Sequence, residues 1–267
     1  NQVWFVLGGG AIFAAWPAVY ATAFSGFFVA LILTLFALIL RPVGFDYRSK
    51  LPDPRWRNFW DWGLFIGGAA PALVFGVAFG NLLLGVPFHF DNDLRVEYTG
   101  SFFGLLNPFG LLSGIISLAM LVMHGAIYLQ LRTEGDIQQR AQHAVARAAQ
   151  VFLGSFALAG LWLIIGVDGY RLENFAGVAA PSNPLDKTVV REGWAWLANY
   201  GQHPWMLLAP AAGFAGAALT WRCSQRQQPG RGFIASALTL AGVILTAGFT
   251  LFPFILPSSD DPNSSLT

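Results

Sequence analysis

Charge is scarce in this sequence. Only 11% of its 267 residues are Asp, Glu, Lys or Arg, against roughly 25% in an ordinary soluble domain, and residues 1–40 carry no charged side chain at all. Too few charges remain to cover a water-facing surface. Cysteine is nearly absent: Cys223, in the basic stretch TWRCSQR, stands alone, which excludes disulfides and thiolate metal sites within the chain. H-E-x-x-H, P-loop and G-x-S-x-G signatures are missing, and with them the usual signs of soluble zinc, nucleotide and acyl-transfer chemistry. The glycine triplet 8–10 lies inside an apolar run and is no phosphate loop. The net charge of +1 is spread in clusters between apolar blocks, so no basic face offers itself to nucleic acid. No signal-peptide pattern is present. The chain opens without Met inside an apolar block, as a piece of a longer polypeptide is expected to.

Apolar residues, by contrast, make up 55% of the chain, with a mean hydropathy of +0.55, and they fall in long blocks. A bilayer core takes about 20 apolar residues of helix. That length divides the chain into about seven spans, near 3–23, 25–41, 61–86, 106–131, 146–167, 204–221 and 233–257. Buried runs of a soluble α/β protein are shorter, and the short alternating strands of a membrane barrel are missing. The expected fold class is therefore all-α, a polytopic transmembrane helical bundle forming a single domain over 1–267. Eleven of the fifteen Lys and Arg residues fall between spans on one side, while Arg95, Arg171, Lys187 and Arg191 fall on the other. By the positive-inside rule the first side is cytoplasmic. The segment 168–203 becomes a long outer loop, expected to carry a surface helix seated by Trp194 and Trp196.

Polar residues left in or near the spans are the candidates for function, because they are costly there. Gly76 and Gly80 form a G-x-x-x-G pattern in FGVAFG, which suits close helix packing within the bundle or against another subunit. Pro71, Pro108 and Pro253 are expected to bend their spans. His124 is the one histidine inside a span; its plainest reading is a neutral imidazole hydrogen-bonded within the bundle. A transmembrane six-coordinate haem needs two axial ligands, and Met120 and Met123 lie on the same helix as His124, so no metal site and no catalytic residue is assigned to this chain. Asp61, in RNFWDWG, is expected to cap the third span at its cytoplasmic end. In RPVGFDYRSK, Asp46 sits at the cytoplasmic mouth with Arg41, Tyr47, Arg48 and Lys50. A carboxylate at that mouth could gather protons. The plainer alternative is that Asp46 pairs with Arg41 or Arg48 to order the loop.

The stretches NQVWFVLGGGAIFAAWPAVYATAFSGFFVALIL, RPVGFDYRSK, RWRNFWDWGLFIGG, GVAFGNLLLGVPF, LLNPFGLLSG, SNPLDK, VVREG and FPFILPSS together closely resemble subunit II of the cytochrome bd quinol oxidases. The resemblance covers nearly the whole chain and survives in the loops. Members of that family begin with a further helical region before NQVW and continue through another span after the PSS region. The resemblance implies a two-subunit bacterial inner-membrane oxidase that takes electrons from quinol, reduces dioxygen to water and generates a proton gradient. Subunit I then holds two b-type haems and haem d and oxidises quinol, with a small accessory subunit in some members. Subunit II binds no haem; it packs on subunit I, supports proton uptake and dioxygen access, and in some members holds a quinone as a structural lipid. The resemblance also implies a proton pathway through Asp46, Tyr47 and Arg41 and places Trp4 near the dioxygen entrance; an interfacial aromatic anchor is the plainer role for Trp4. The competing classes are a polytopic secondary transporter, for which paired broken helices and midplane charges are missing, and a purely structural membrane subunit.

Overall fold

A computed structural model describes residues 9–91, 93–175 and 183–267. Its helices are α1 Ile12–Ala15, α2 Pro17–Gly26, α3 Phe28–Tyr47, α4 Pro54–Leu84, α5 Pro108–Arg132, α6 Gly135–Gly166, α7 Ala198–Gln202, α8 Leu208–Gln225 and α9 Pro229–Leu251. Helices α3, α4, α5, α6 and α9, of 20, 31, 25, 32 and 23 residues, are long and apolar enough to cross a membrane. The 18 residues of α8 lie antiparallel beside α9. The expected first span is broken at Trp16, because a residue before proline is kept out of the helical region; its φ and ψ are −134° and 67°. A second break at Phe27 separates α2 from α3.

Helix α4 starts at Pro54, well before the expected residue 61. Asp53 is its N-cap, accepting from the Arg55 N–H at 2.8 Å, with Pro54 in the first turn where its missing donor costs nothing. Asp61 therefore lies two turns inside the helix and does not cap it. Of the prolines expected to bend spans, Pro71 is inside α4. Pro108 instead opens α5, next to the N-cap Asn107, and Pro253 follows the end of α9; neither interrupts a helix. Pro42, not anticipated, is inside α3.

The ends differ as the charge count requires. At the basic end, fully buried Gln130 and Ser224 exchange two hydrogen bonds, Gln130 Nε2 to Ser224 O at 3.1 Å and Ser224 Oγ to Gln130 Oε1 at 2.6 Å. These join α5 to α8. At the acidic end two antiparallel hairpins cover the bundle, β1 Phe88–Phe90 with β2 Val96–Tyr98, and β3 Asp168–Phe175 with β4 Lys187–Gly193. The outer loop is thus mainly a β-hairpin followed by short helical turns. Trp196 is 2% exposed and donates from Nε1 to Leu83 O at 3.0 Å. Trp194 is 66% exposed. The segment after α9 ties both hairpins together: Asn263 Oδ1 accepts from Val189 N–H at 2.9 Å, and Ser264 Oγ accepts from Phe90 N–H at 3.2 Å.

Helices approach closely along two seams of small residues. A Cβ on Gly76 would lie 2.5 Å from Ser113 O and 2.7 Å from Gly114 Cα, and one on Gly80 would lie 2.8 Å from Gly110 Cα. The G-x-x-x-G face of α4 is therefore filled by α5 of the same chain. Between α8 and α9, Cβ atoms on Gly216 and Gly242 would meet Thr239 Oγ1 at 2.6 Å and Gly213 N at 2.4 Å. Gly76→Leu is expected to force α4 and α5 apart and lower the thermal stability of the purified protein by several degrees. Gly68→Leu on the same helix, where a Cβ meets nothing within 4 Å, should leave it unchanged. Equal melting temperatures for the two variants would refute the seam.

Candidate functional site

The RPVGFDYRSK stretch does not leave the helix where its charges begin. Pro42 fits because the α3 turns around it continue, leaving only the Leu38 carbonyl without its helical donor. Asp46 and Tyr47 are thus in the last turn of α3. The α4-facing side of that turn is set by spacing. The Arg41 stem lies across Gly67, whose Cβ would come within 2.7 Å of Arg41 Cγ, and Gly44 packs on Leu64 and Trp60. One turn on, Arg48 reaches Asp61 through a two-pronged ion pair, Nε to Oδ1 and Nη2 to Oδ2, the latter at 3.1 Å. Residues 41, 44 and 48 recur at helical spacing, and Asp46, two positions from both 44 and 48, falls about 200° round the helix from each.

Asp46 is consequently exposed and, among the described residues, has neither a hydrogen-bond nor an ion-pair partner. The alternative in which it pairs with Arg41 or Arg48 is not what forms: Arg48 is committed to Asp61. That hydrogen bond, and then the Asp61 charge, hold the Arg48 guanidinium further above its usual range. Tyr47 is half-exposed, and its carbonyl accepts from Trp56 Nε1 at 2.8 Å, closing the α3–α4 turn. Its ring lies 6.0 Å from that of Trp60. Nearby, Trp60 Nε1 and, deeper along α3, Thr34 Oγ1 are buried without a protein partner. Buried polar groups of this kind are ordinarily satisfied by water. Sequence reasoning missed both; a tryptophan and a threonine inside apolar runs carry no signal until their neighbours are known. Trp4 lies outside the described residues.

His124 is half-buried on α5, with Nδ1 2.8 Å from Ser236 Oγ and its ring stacked 4.8 Å from Phe233 of α9. Ser236 Oγ also donates to Phe233 O at 2.7 Å. Among the described residues no other histidine joins it: His89 is on β1, His143 bonds Gln139 O on α6, and His203 follows α7. Met120 and Met123 are buried in the core cluster on His124's own helix, and no group of three His, Cys, Asp or Glu residues converges among the described residues. These side chains do not fit a haem with two axial ligands.

Bordering the α4–α5 seam at Gly76 and Gly80 is an apolar cleft of about 540 Å³ lined by Phe75, Phe79, Phe109, Phe156, Phe214 and Ile244, among others. Four long helices and α8 contribute to its wall, and Gly160 borders it with nothing within 4 Å of a Cβ position.

Comparison with known proteins matches this arrangement to one family. Residues 1–267 match the family described as cytochrome bd terminal oxidase subunit II. The chain is 54% identical over 267 residues to cytochrome bd-I ubiquinol oxidase subunit 2 of Escherichia coli K12, covering 100% of this chain and 70% of that protein. It is 53% identical over 266 residues to the probable cytochrome oxidase subunit 2 of Haemophilus influenzae, again with 70% of that protein covered. Its fold is similar to a chain in the structure of bd oxidase from Geobacillus thermodenitrificans, with a TM-score of 0.54 at 12% identity, over 94% of this chain and 73% of that one. With the whole chain matched and more than half of its residues shared, the protein belongs to the cytochrome bd terminal oxidase subunit II family.

Proposed function

We propose that this chain works as the haem-free subunit II of a respiratory quinol oxidase in the bacterial inner membrane, where it packs on a haem-bearing subunit I and takes up protons from the cytoplasm for dioxygen reduction. The observation that carries the proton role is the unpaired, exposed Asp46 at the basic end of α3. By the positive-inside rule that end faces the cytoplasm. A carboxylate held away from Arg48 by the Arg48–Asp61 pair is free to exchange protons with bulk water. Further along α3 and α4 are the Tyr47 ring, the Leu38 carbonyl freed by Pro42, and the unpartnered Trp60 Nε1 and Thr34 Oγ1. Water bridging such groups gives protons a route through low dielectric. Arg41 keeps the mouth cationic without neutralising Asp46. The protons consumed come from inside while quinol oxidation on subunit I releases protons outside, and that separation is how the reaction stores energy. Trp4, at the start of the chain, is assigned to the dioxygen entrance on the family resemblance alone.

The haems, two of b type and one of d type, belong to subunit I in this reading. The apolar cleft takes a quinone as a structural lipid: its size falls within the range of small-molecule pockets, and its phenylalanine walls suit an isoprenoid tail.

Asp46→Asn is expected to lower oxygen consumption per haem d, most strongly at alkaline pH where protons are scarce, with haem content unchanged; normal turnover per haem at every pH would remove Asp46 from the route. His124→Leu should leave the haem b and haem d absorption of the complex at full strength, and loss of either would make His124 a ligand. Gly160→Leu should fill the cleft and lower the quinone extracted per purified complex while haem content holds. Undiminished quinone would put that molecule elsewhere.

A further inference from the structure

On the outward face of α5, His124, Tyr128 and Arg132 stand four residues apart, one above the next. The Arg132 guanidinium carbon lies 5.7 Å from the Tyr128 ring centroid. The Tyr128 ring is in turn 5.8 Å from Phe233 of α9, the same ring on which His124 stacks. Phe233 thereby holds the column upright. Tyr128 is 45% exposed, and Gly125 beside it leaves a flat place, with nothing within 4 Å of a Cβ position. At the basic end, a Cβ on Gly230 would lie 4.0 Å from Leu131 Cδ1, so the start of α9, which carries Arg231, packs beside the end of α5. Arg231 makes one hydrogen bond, to Gln228 Oε1 at 3.4 Å.

The charges here are not neutralised by the protein. Among the described residues neither Arg132 nor Arg231 has a carboxylate partner, and the Tyr128 hydroxyl has no hydrogen-bond partner. Glu134 and Asp136, exposed in the turn after Arg132, make no ion pair with it. A cation, a phenol one helical turn deeper and an apolar track beneath them match, in order, the phosphate, the ester carbonyl and the acyl chain of a phospholipid. We propose that this face is a seat for one anionic phospholipid of the cytoplasmic leaflet. The phosphate is held by Arg132 with Arg231 beside it, an ester carbonyl accepts from the Tyr128 hydroxyl, and an acyl chain lies over Gly125 and the exposed Leu121. The cation–π contact keeps Arg132 over the ring, so less side-chain freedom is lost when the phosphate arrives.

The test uses the purified oxidase complex in nanodiscs of phosphatidylcholine with increasing phosphatidylglycerol, with retained lipid counted by native mass spectrometry and melting temperature read in parallel. Wild type is expected to retain one phosphatidylglycerol tightly and to melt higher as its fraction rises. Arg132→Gln should weaken that retention roughly fivefold, the factor carried by one interfacial cation. Tyr128→Phe should weaken it to a smaller extent without altering charge, which keeps the test open if the arginine variant assembles poorly. Arg140→Gln, at an exposed arginine of α6 on the same end, should change nothing. Equal losses from Arg132→Gln and Arg140→Gln would reduce the effect to diffuse attraction of anionic lipid and overturn the seat. So would reproduction of the melting shift by millimolar inorganic phosphate alone. A photo-cross-linking residue at position 128 should capture lipid; capture of a subunit of the complex would show that protein covers this face and overturn it as well.

Discussion

Within the hydrocarbon no water is available to satisfy a backbone N–H or C=O, and the rest of the structure follows from that constraint. In the five long helices it confines irregular backbone to the two ends, where side chains take over the unpaired groups of the helix termini. Asn107 caps α5 through the Gly110 N–H at 2.7 Å and donates to Asn81 Oδ1 at 2.8 Å, while Asn81 donates to Val77 O and Leu105 O. The last carbonyls of α4 are met from the outer loop, Leu83 O by Trp196 and Leu84 O by the Tyr170 hydroxyl at 3.4 Å. Asn199 does the same for α9, donating to Phe249 O and Phe252 O. The outer cap is therefore a set of helix terminators that happens to contain two hairpins. Burial pushes the Tyr170 phenol upward from its ordinary range, which keeps it a neutral donor over the physiological range.

The same solvent removes the usual driving force between helices, since a lipid tail is as apolar as leucine. Close approach has to supply the attraction instead. This accounts for the two glycine seams: α4 on α5 through Gly76, Gly80, Gly110 and Gly114, and α8 on α9 through Gly213, Gly216 and Gly242. Dispersion gains scale with the number of atoms brought to contact distance, and a missing side chain lets whole backbones contribute. The apolar cleft lies between α4–α5 and α8–α9, bordered by Gly76 and Gly80 of the first seam and by the larger side chains of α6 that join the two pairs.

The parts of this fold legible in the sequence are those governed by the bilayer alone. The helical-bundle class, the two ends and the interior of the bundle follow from apolar blocks and the positions of arginine. Helix ends are set by local chemistry that the hydropathy of a block hides: Trp16 before Pro17 breaks the first span, and Asp53 rather than Asp61 caps α4, because Pro54 marks the first turn more sharply than the edge of the apolar run. The β3–β4 hairpin was not legible, since its sequence lacks strict alternation and its pairing shifts between Leu172 and Asn174. Of the two seams, FGVAFG was visible as a motif; the other was not, because Gly213 and Gly216 are matched by single small residues on α9.

At the mouth, the sequence sets Arg41, Arg48 and Lys50 near Asp46 and Asp61 without saying which would pair. Geometry decides it through one continuous helix. Had α3 ended at Pro42, the segment 42–50 would be free to fold Asp46 back onto Arg48, its neighbour in sequence. Because the helix continues, Arg48 is carried to the α4 side, where Asp61 sits two turns inside α4 and offers both oxygens to a planar guanidinium. A two-pronged pair of that kind fixes orientation as well as charge. The two residues between Asp46 and Arg48 then amount to more than half a turn, and the carboxylate is turned outward. The proline that breaks no helix and the aspartate that caps none are thus parts of one arrangement, which orders the α3–α4 turn with Asp61 and leaves Asp46 an unpaired carboxylate facing water.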